Sequence, residues 1–186
     1  MLREEELVRH IEQALKSLGN YFSSPDELRD TANRVARVWI EMTDGSRQSA
    51  PKLKWFPTKF EGLLIKGPIE GYFLCPHHLL PVVIKVFIGL VPNGYVLGIS
   101  KITRTILWAC KRLALQEDIT QLIADRLWDV PESYKPVGLI VRVIGDHFCE
   151  KIRGVKRQSP TITTQVRGFI REEFLTMFYK HIKEWA

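Results

Sequence analysis

The sequence has few cysteines, no long apolar run and no excess of glycine or proline. Three cysteines are an odd number and too few for a disulfide-stapled fold, which favours a reducing compartment and leaves metal binding open. The most apolar stretch, residues 79–92, is interrupted by Pro81 and Lys85 and is too short to span a membrane. The charged start, MLREEELVRH, lacks the apolar core of a signal peptide, so we expect a soluble, cytoplasmic protein. The 12 glycines and 10 prolines exclude collagen-like and low-complexity classes.

The rest of the composition is typical of a globular domain. A chain of 186 residues, 45% hydrophobic and 26% charged, fits about one domain with a substantial core. The net charge of +6 is compatible with a solvated basic face or with a small anionic ligand such as a phosphate. Nucleic acid is disfavoured as a partner, because the densest basic stretch, residues 151–157, lacks the interleaved aromatic side chains of a single-strand-binding surface.

Hydrophobic periodicity predicts an α+β fold with a mostly antiparallel sheet and helices on one face. Ser24, Pro25 and Glu27 form a start signal for a helix that Gly45 is expected to end. The turn at residues 92–94 predicts a hairpin between strands at 82–91 and 95–99. The other predicted elements are helices at 7–18, 102–113 (with Ser100 as a possible cap), 119–127 and 174–182, strands at 137–144 and 161–169, and a connecting segment at 46–60.

A metal site is predicted from cysteine and histidine at two strand ends. Cys75 and His78 are three residues apart, so one turn can present both to a single ion, and Cys149 follows a later strand. Such a Cys₂His set leaves one position open, as in catalytic zinc sites. Each residue alone is more simply explained as a buried thiol or an ordinary histidine, but the set favours a metal. Cys110 lies on the apolar stripe of a helix and is assigned to the core.

Two histidines, His77 and His147, remain beside the predicted metal site. Hydrolysis at a metal needs a group that carries a proton to the leaving atom, and imidazole titrates in the appropriate range. His147 is two residues before Cys149, so a continuous strand would place both on one face. An ordinary hydrogen-bonded histidine at a strand end is the alternative for His147.

Basic and amide side chains suggest a further binding site. Ser100, Lys101 and Arg104 open a predicted helix, whose N-terminus is suited to an anion, and Arg153 follows the second predicted metal-ligand segment. The alternative is an exposed basic face. Gln116 and Glu117 are a weaker signal: a carboxylate can accept two hydrogen bonds from the N1–H and 2-amino edge of guanine, but most such pairs are helix-start or solvent residues.

Taken in order, the motifs CPHHLLP, VLGISKITR, RLALQEDITQLIADRL, DHFCEKIRGV, SPTITT and REEFL closely resemble those of the GTP cyclohydrolase I family. The resemblance spans about residues 24–178. It implies the tunnelling fold, a four-stranded antiparallel sheet with two helices between its hairpins, preceded by a helical segment. We therefore expect an N-terminal helical segment at residues 1–48 and a catalytic domain at 49–186.

The resemblance implies a role for each candidate residue. Zn²⁺ would be the cofactor, held by Cys75, His78 and Cys149, and His77 and His147 would carry the acid–base chemistry. GTP would be the substrate. The implied substrate-binding positions are Gln116 and Glu117 for guanine, Ser100, Lys101, Arg104 and Arg153 for the triphosphate, and Arg34 and Arg37 contributed by a neighbouring subunit. The implied assembly is a homodecamer of two pentamers, without nucleic acid or membrane.

The implied reaction converts GTP and water to 7,8-dihydroneopterin triphosphate and formate, the first step of tetrahydrofolate and pterin biosynthesis. One residue departs from the family pattern: Pro76 replaces the glutamate of the usual Cys-Glu-His-His motif. Proline removes a carboxylate and a backbone donor together. Two alternatives therefore stay open, a tunnelling-fold paralogue acting on another purine or pterin and a nucleotide-binding zinc protein of impaired activity.

Overall fold

The computed structural model describes residues 4–19 and 21–185. The described helices and strands, in chain order, are α1 (Glu4–Leu18), α2 (Pro25–Met42), β1 (Trp55–Pro57), β2 (Leu64–Leu74), β3 (Pro81–Val91), β4 (Tyr95–Leu97), α3 (Ile99–Cys110), α4 (Gln116–Trp128), β5 (Gly138–His147), α5 (Phe148–Lys151), β6 (Thr161–Gly168) and α6 (Glu172–Lys183). None of these helices is long and apolar enough to cross a membrane.

The centre of the fold is a four-stranded antiparallel sheet in the order β2-β3-β5-β6. One face carries the main core, where α3 and α4 pack through residues such as Ile102, Ile106 and Ile123. The predicted α+β class and its antiparallel sheet are confirmed. The terminal helix α6 packs against the opposite face, where Phe178 contacts the buried side chains of Phe87 and Ile140.

The predicted hairpin between β3 and β4 is wrong. β3 already pairs with β2 on one side and β5 on the other, so it has no free edge for a third partner. After Gly94, whose positive φ of 70° suits a turn, β4 pairs instead with β1, with Trp55 opposite Leu97. The segment 46–60, expected to be a connection, therefore contributes this short strand.

The start signal of α2 is confirmed, because the Ser24 hydroxyl accepts a hydrogen bond from the Glu27 amide at 3.2 Å. Two terminal predictions are wrong. α2 ends at Met42, and the buried Gly45 lies in a following 3₁₀ turn, where a Cβ would collide with the Trp108 carbonyl. α3 begins one residue before Ser100, after the N-cap Gly98.

Several strands of the sheet begin or end at the same end of the sheet. In the β3–β5 ladder Val82 lies opposite His147, and in the β2–β3 ladder Leu74 lies opposite Pro81. β5 and β6 are paired as far as Gly145 and Thr161. The reactive residues are therefore concentrated at one end of the sheet, where β2 and β5 end and β3 and β6 begin.

Candidate active site

A tight turn between β2 and β3 carries three of the candidate residues. The Cys75 amide donates to the Leu80 carbonyl and the Leu79 amide donates to the Cys75 carbonyl, each at 2.9 Å. The turn closes with Leu79 in the left-handed region, at a φ of 55°. Pro76 lies inside this closed turn and is exposed, so its missing N–H leaves no buried group unpaired.

Cys75, His78 and Cys149 form a three-residue cluster in which one candidate ligand atom from each lies within 4.8 Å of the others. Cys75 Sγ is 3.8 Å from His78 Nδ1. Two sulfurs and one imidazole nitrogen at this separation fit a tetrahedral zinc ion with one position left open. The described residues therefore provide a set of donors that could hold a metal.

The cluster combines different degrees of burial. Cys75 is 5% exposed, Cys149 is half-buried and His78 is exposed. Burial, together with the adjacent Cys75 thiol, raises the pKa of the Cys149 thiol. A metal ion would reverse this effect, because it binds the thiolate and displaces the proton.

The strand geometry predicted for His147 and Cys149 is wrong. β5 ends at His147, and Cys149 lies in the single turn of α5. The change from strand to helix at this point turns the Cys149 sulfur towards Cys75, while His147 stays on the sheet. His147 and Cys149 therefore come from the end of a strand and from the helical turn after it, and do not share one strand face.

His77 lies on the outer side of the turn. Its side chain is exposed, and its Nδ1 is 3.9 Å from Cys75 Sγ. The rings of His77 and His78 meet edge to face with centroids 6.2 Å apart. His77 does not belong to the three-residue cluster, so its imidazole stays available for another role beside it.

His147 is held from two sides. Its ring makes an edge contact with Phe73, with centroids 6.3 Å apart. Its Nε2 atom lies 2.9 Å from Gln116 Oε1, at the start of α4. Gln116 is only 1% exposed, and its amide nitrogen donates to the Thr161 carbonyl and to the Thr163 hydroxyl, so both ends of the side-chain amide have partners.

These observations place three possible metal ligands and the imidazole of His147 at one end of the sheet. A family model described as GTP cyclohydrolase I matches residues 7–182. The chain belongs to the GTP cyclohydrolase I family. The resemblance seen in the motifs, the tunnelling fold and the expectation of an enzyme of this family are confirmed.

Several curated relatives carry the name GTP cyclohydrolase 1. One from Streptococcus agalactiae is 37% identical over 193 residues, covering 97% of this chain and 100% of the relative. Another from Pyrobaculum aerophilum is 34% identical over 162 residues, covering 86% and 84%. A third from Coxiella burnetii is 33% identical over 181 residues, covering 92% and 96%. The similarity therefore extends along nearly whole chains.

The candidate substrate-binding residues at the starts of α3 and α4, apart from the buried Gln116, are exposed or partly exposed. Glu117 is exposed in the first turn of α4, next to the buried Gln116. Ser100 and Arg104 are exposed and Lys101 is partly exposed in the first turns of α3. Within the described part of the chain, Lys101 and Arg104 form no ion pair, so both cations are available to an anion.

Arg153 is the one basic candidate that touches the three-residue cluster, since its Nη1 lies 2.6 Å from His78 Nε2. Arg34 and Arg37 lie far from this set in sequence, on exposed positions of α2. Among the described residues neither of these two forms an ion pair. A single chain therefore leaves their predicted role in a neighbouring subunit's pocket as a prediction.

Sequence reasoning missed the residues that hold Gln116. Thr161 and Thr163 on β6 accept hydrogen bonds from its amide, and Gly145 on β5 leaves the space that its amide oxygen fills. A glycine inside a strand can signal close approach by another group, and Gly145 was such a signal. Thr161 and Thr163 belong to the SPTITT motif, but nothing in that motif indicates that they hold Gln116.

Proposed function

We propose that this chain is a zinc-dependent GTP cyclohydrolase I, converting GTP and water to 7,8-dihydroneopterin triphosphate and formate. The observation that carries the proposal is the cluster of Cys75, His78 and Cys149 within a chain whose family match spans residues 7–182. Three protein ligands with an open fourth position are typical of a catalytic zinc site rather than a structural one. A zinc ion held there would supply a Lewis acid that activates water at neutral pH.

The described side chains supply the other parts of this reaction. His147, fixed at the end of β5, would transfer a proton to a ring nitrogen as the imidazole ring of guanine opens. His77, exposed beside the cluster, would assist in proton transfer. Glu117 would accept hydrogen bonds from the N1–H and 2-amino groups of guanine.

The triphosphate would bind the cations at the start of α3 and after α5. Lys101 and Arg104 share one helix face, and the helix N-terminus adds the positive end of its dipole. Arg153, which lies beside His78, would bind phosphate oxygens close to the three-residue cluster. Charge-assisted hydrogen bonds of this kind suit the oxygens of a phosphate chain.

We also propose a homodecamer of two pentamers, in which Arg34 and Arg37 reach a neighbouring subunit's site. Within the chain, β2 and β6 are the outer strands of the four-stranded sheet, so each leaves one edge without a partner. Ile162 and Val166 on β6 are 48% and 47% exposed. An open edge with exposed aliphatic side chains favours pairing with another copy.

The chain divides most naturally into residues 1–48 as an N-terminal helical segment and 49–186 as the catalytic domain. This division is supported by a small separate cluster, in which Ile11 of α1 packs against Ala32 and Ala36 of α2. The main core is built from the sheet, α3 and α4.

The test is incubation of zinc-loaded protein with GTP, followed by pterin absorbance and fluorescence and by an assay for formate. We expect both products from the parent and neither from Cys149→Ala, which is also expected to lose zinc. Cys110→Ala is the matched control, because Cys110 is a buried helix residue outside the cluster and its loss is expected to leave zinc content unchanged.

Zinc retained by the parent without turnover of GTP would overturn the proposal. That result would favour a paralogue acting on another purine or pterin, or a nucleotide-binding protein. The presence of Pro76 in the ligand-bearing turn is the observation that keeps these alternatives in view. A panel of purine nucleoside triphosphates, assayed in parallel, separates the first alternative from the second.

A further inference from the structure

The orientation of the Gln116 amide is determined by what surrounds it. Its Nε2 donates to the Thr161 carbonyl at 3.0 Å and to Thr163 Oγ1 at 3.1 Å, with the Val143 carbonyl at 3.4 Å. Two of these three neighbours are carbonyl oxygens, which only accept hydrogen bonds. The nitrogen must therefore face β6, and the amide oxygen must be the atom that faces His147.

This orientation decides which nitrogen of His147 carries its proton. Gln116 Oε1 can only accept a hydrogen bond, and it lies 2.9 Å from His147 Nε2. In the neutral ring Nε2 therefore carries the hydrogen, and Nδ1 keeps the lone pair. Among the described residues Nδ1 has no hydrogen-bonding partner, so it is the nitrogen left for proton transfer.

The surrounding packing leaves Gln116 little freedom. The Thr120 hydroxyl donates to the Gln116 backbone carbonyl at 2.8 Å and lies 2.6 Å from the Thr163 hydroxyl. A Cβ added at Gly145 would collide with Gln116 Oε1. Two threonines and one glycine thus fix a buried amide whose remaining function is to accept from His147.

We propose that Gln116 is a positioning residue that sets the tautomer and ring orientation of His147, and that its side chain does not contact guanine. The catalytic consequence rests on the proposed function, in which His147 transfers a proton. The structural part, the Nε2–H tautomer, does not depend on it. Guanine recognition then falls to the exposed Glu117 beside it.

The direct test is ¹⁵N NMR of the histidine side chains in zinc-loaded protein at about pH 8, since ¹⁵N shifts distinguish the two tautomers of a neutral imidazole. The His147 signal is assigned by its absence in His147→Gln. We expect the Nε2–H tautomer in the parent and a mixture of tautomers in Gln116→Leu. A parent protein with the Nδ1–H tautomer at His147 would overturn the proposal.

Kinetics separate positioning from substrate contact. For Gln116→Leu we expect kcat for GTP to fall about 100-fold with KM unchanged, since only acid–base catalysis is impaired. The preference for GTP over inosine triphosphate, which lacks the 2-amino group, is expected to stay constant. Glu117→Gln is expected to change that preference. A changed preference in Gln116→Leu would show direct guanine contact and contradict the proposal.

Two further variants keep the test independent of one substitution. Gly145→Ala displaces the amide oxygen while leaving Gln116 and His147 chemically intact, and we expect the same mixed tautomer and reduced kcat. Gln121→Leu, an exposed position on the same helix, is the matched control and is expected to match the parent. If the parent shows the Nε2–H tautomer and Gln116→Leu a mixture, but the parent does not turn over GTP, the proposed function fails and the positioning role of Gln116 stands.

Discussion

Arg153 Nη1 lies 2.6 Å from His78 Nε2, while Nδ1 of the same ring faces Cys75 Sγ at 3.8 Å. A guanidinium only donates, so Nε2 must be the accepting nitrogen in this arrangement. If a metal binds Nδ1, the proton of the neutral ring moves to Nε2, which can then no longer accept from Arg153. Metal binding would therefore release Arg153 to bind an anion, which in the proposed function is the triphosphate of GTP.

This relationship predicts that Arg153→Ala separates substrate affinity from metal affinity. We expect KM for GTP to rise about 10-fold or more, because one charge-assisted hydrogen bond of about 1.5–3 kcal/mol is lost. Zinc affinity, measured by competition with a chromophoric chelator, is expected to stay equal or become tighter. Arg157→Ala is the matched control, since Arg157 is exposed and, among the described residues, forms a hydrogen bond with the Lys156 carbonyl and no ion pair. Weaker zinc binding in Arg153→Ala would contradict this account.

Thiol alkylation is expected to distinguish the three cysteines. With zinc bound, Cys75 and Cys149 are expected to resist iodoacetamide, because the metal holds both thiolates. After chelation Cys149, which is half-buried, reacts first and Cys75, at 5% exposure, reacts more slowly. Cys110, at 2% exposure, stays unmodified in both states. Peptide mass spectrometry after brief alkylation measures all three, and equal protection of Cys149 with and without zinc would argue against its role as a ligand.

The substitution Pro76→Glu restores the residue that the family pattern has at this position. We expect the free energy of unfolding to fall by about 0.4–1 kcal/mol, because proline limits the unfolded chain and its native turn leaves no amide unpaired. We expect kcat for GTP to rise, because a carboxylate returns beside His77. Pro76→Ala is the control that removes the ring without adding charge, and it is expected to show only the loss of stability. Equal rates for Pro76→Glu and the parent would mean that the glutamate is dispensable here.

Because the Cys110 thiol is buried, we expect the free energy of unfolding to depend on pH in the alkaline range. Burial raises the pKa of this thiol from 9.0 to about 12. The contribution of this thiol to folding stability is complete below pH 9. It is lost as the pH rises from 9 towards 12, because in that range the Cys110 thiol ionises only in the unfolded chain. The free energy of unfolding from this group falls by about 1.4 kcal/mol per pH unit there.

Urea unfolding at several pH values between about 8 and 10 measures this effect, because this range brackets the ordinary thiol pKa of 9.0. We expect Cys110→Ala to lose stability at every pH but to show a shallower decline at the alkaline end. Ile106→Val on the same helix is the control, since it removes buried volume without removing an ionisable group. If the free energy of unfolding declined equally with pH in the parent and in Cys110→Ala, Cys110 would not be the source of the pH dependence.

The sequence predicted which side chains form the three-residue cluster better than it predicted the backbone structure that carries them. Cys75 and His78 could be found because both ligands fall within one turn, where spacing alone limits their separation. The position of Cys149 depended on a change from strand to helix after His147, which hydrophobic alternation does not reveal. The β3–β4 hairpin failed for a related reason: a good turn signal at Gly94 says that the chain reverses, but not which strand edge is free.

Gln116 shows a further limit of prediction from sequence. A polar residue at the start of an amphipathic helix is usually solvated, and nothing in the local pattern shows that it is buried. Its burial depends on Gly145 and Thr163, which come from two strands later in the chain. Only the assembled sheet shows that an apparent ligand-binding amide is fully engaged by the protein.

The pairing of β3 with β5, which sets Val82 opposite His147, also has a consequence for the order of assembly. Cys75 and Cys149 are far apart in the sequence. The three-residue cluster therefore does not form until β3 and β5 have paired in the correct register. A slip of one residue would turn every side chain of β5 to the other face and separate the thiols. A metal bound by these residues would therefore be taken up after the sheet has folded, in contrast to small zinc modules whose chains fold around the ion.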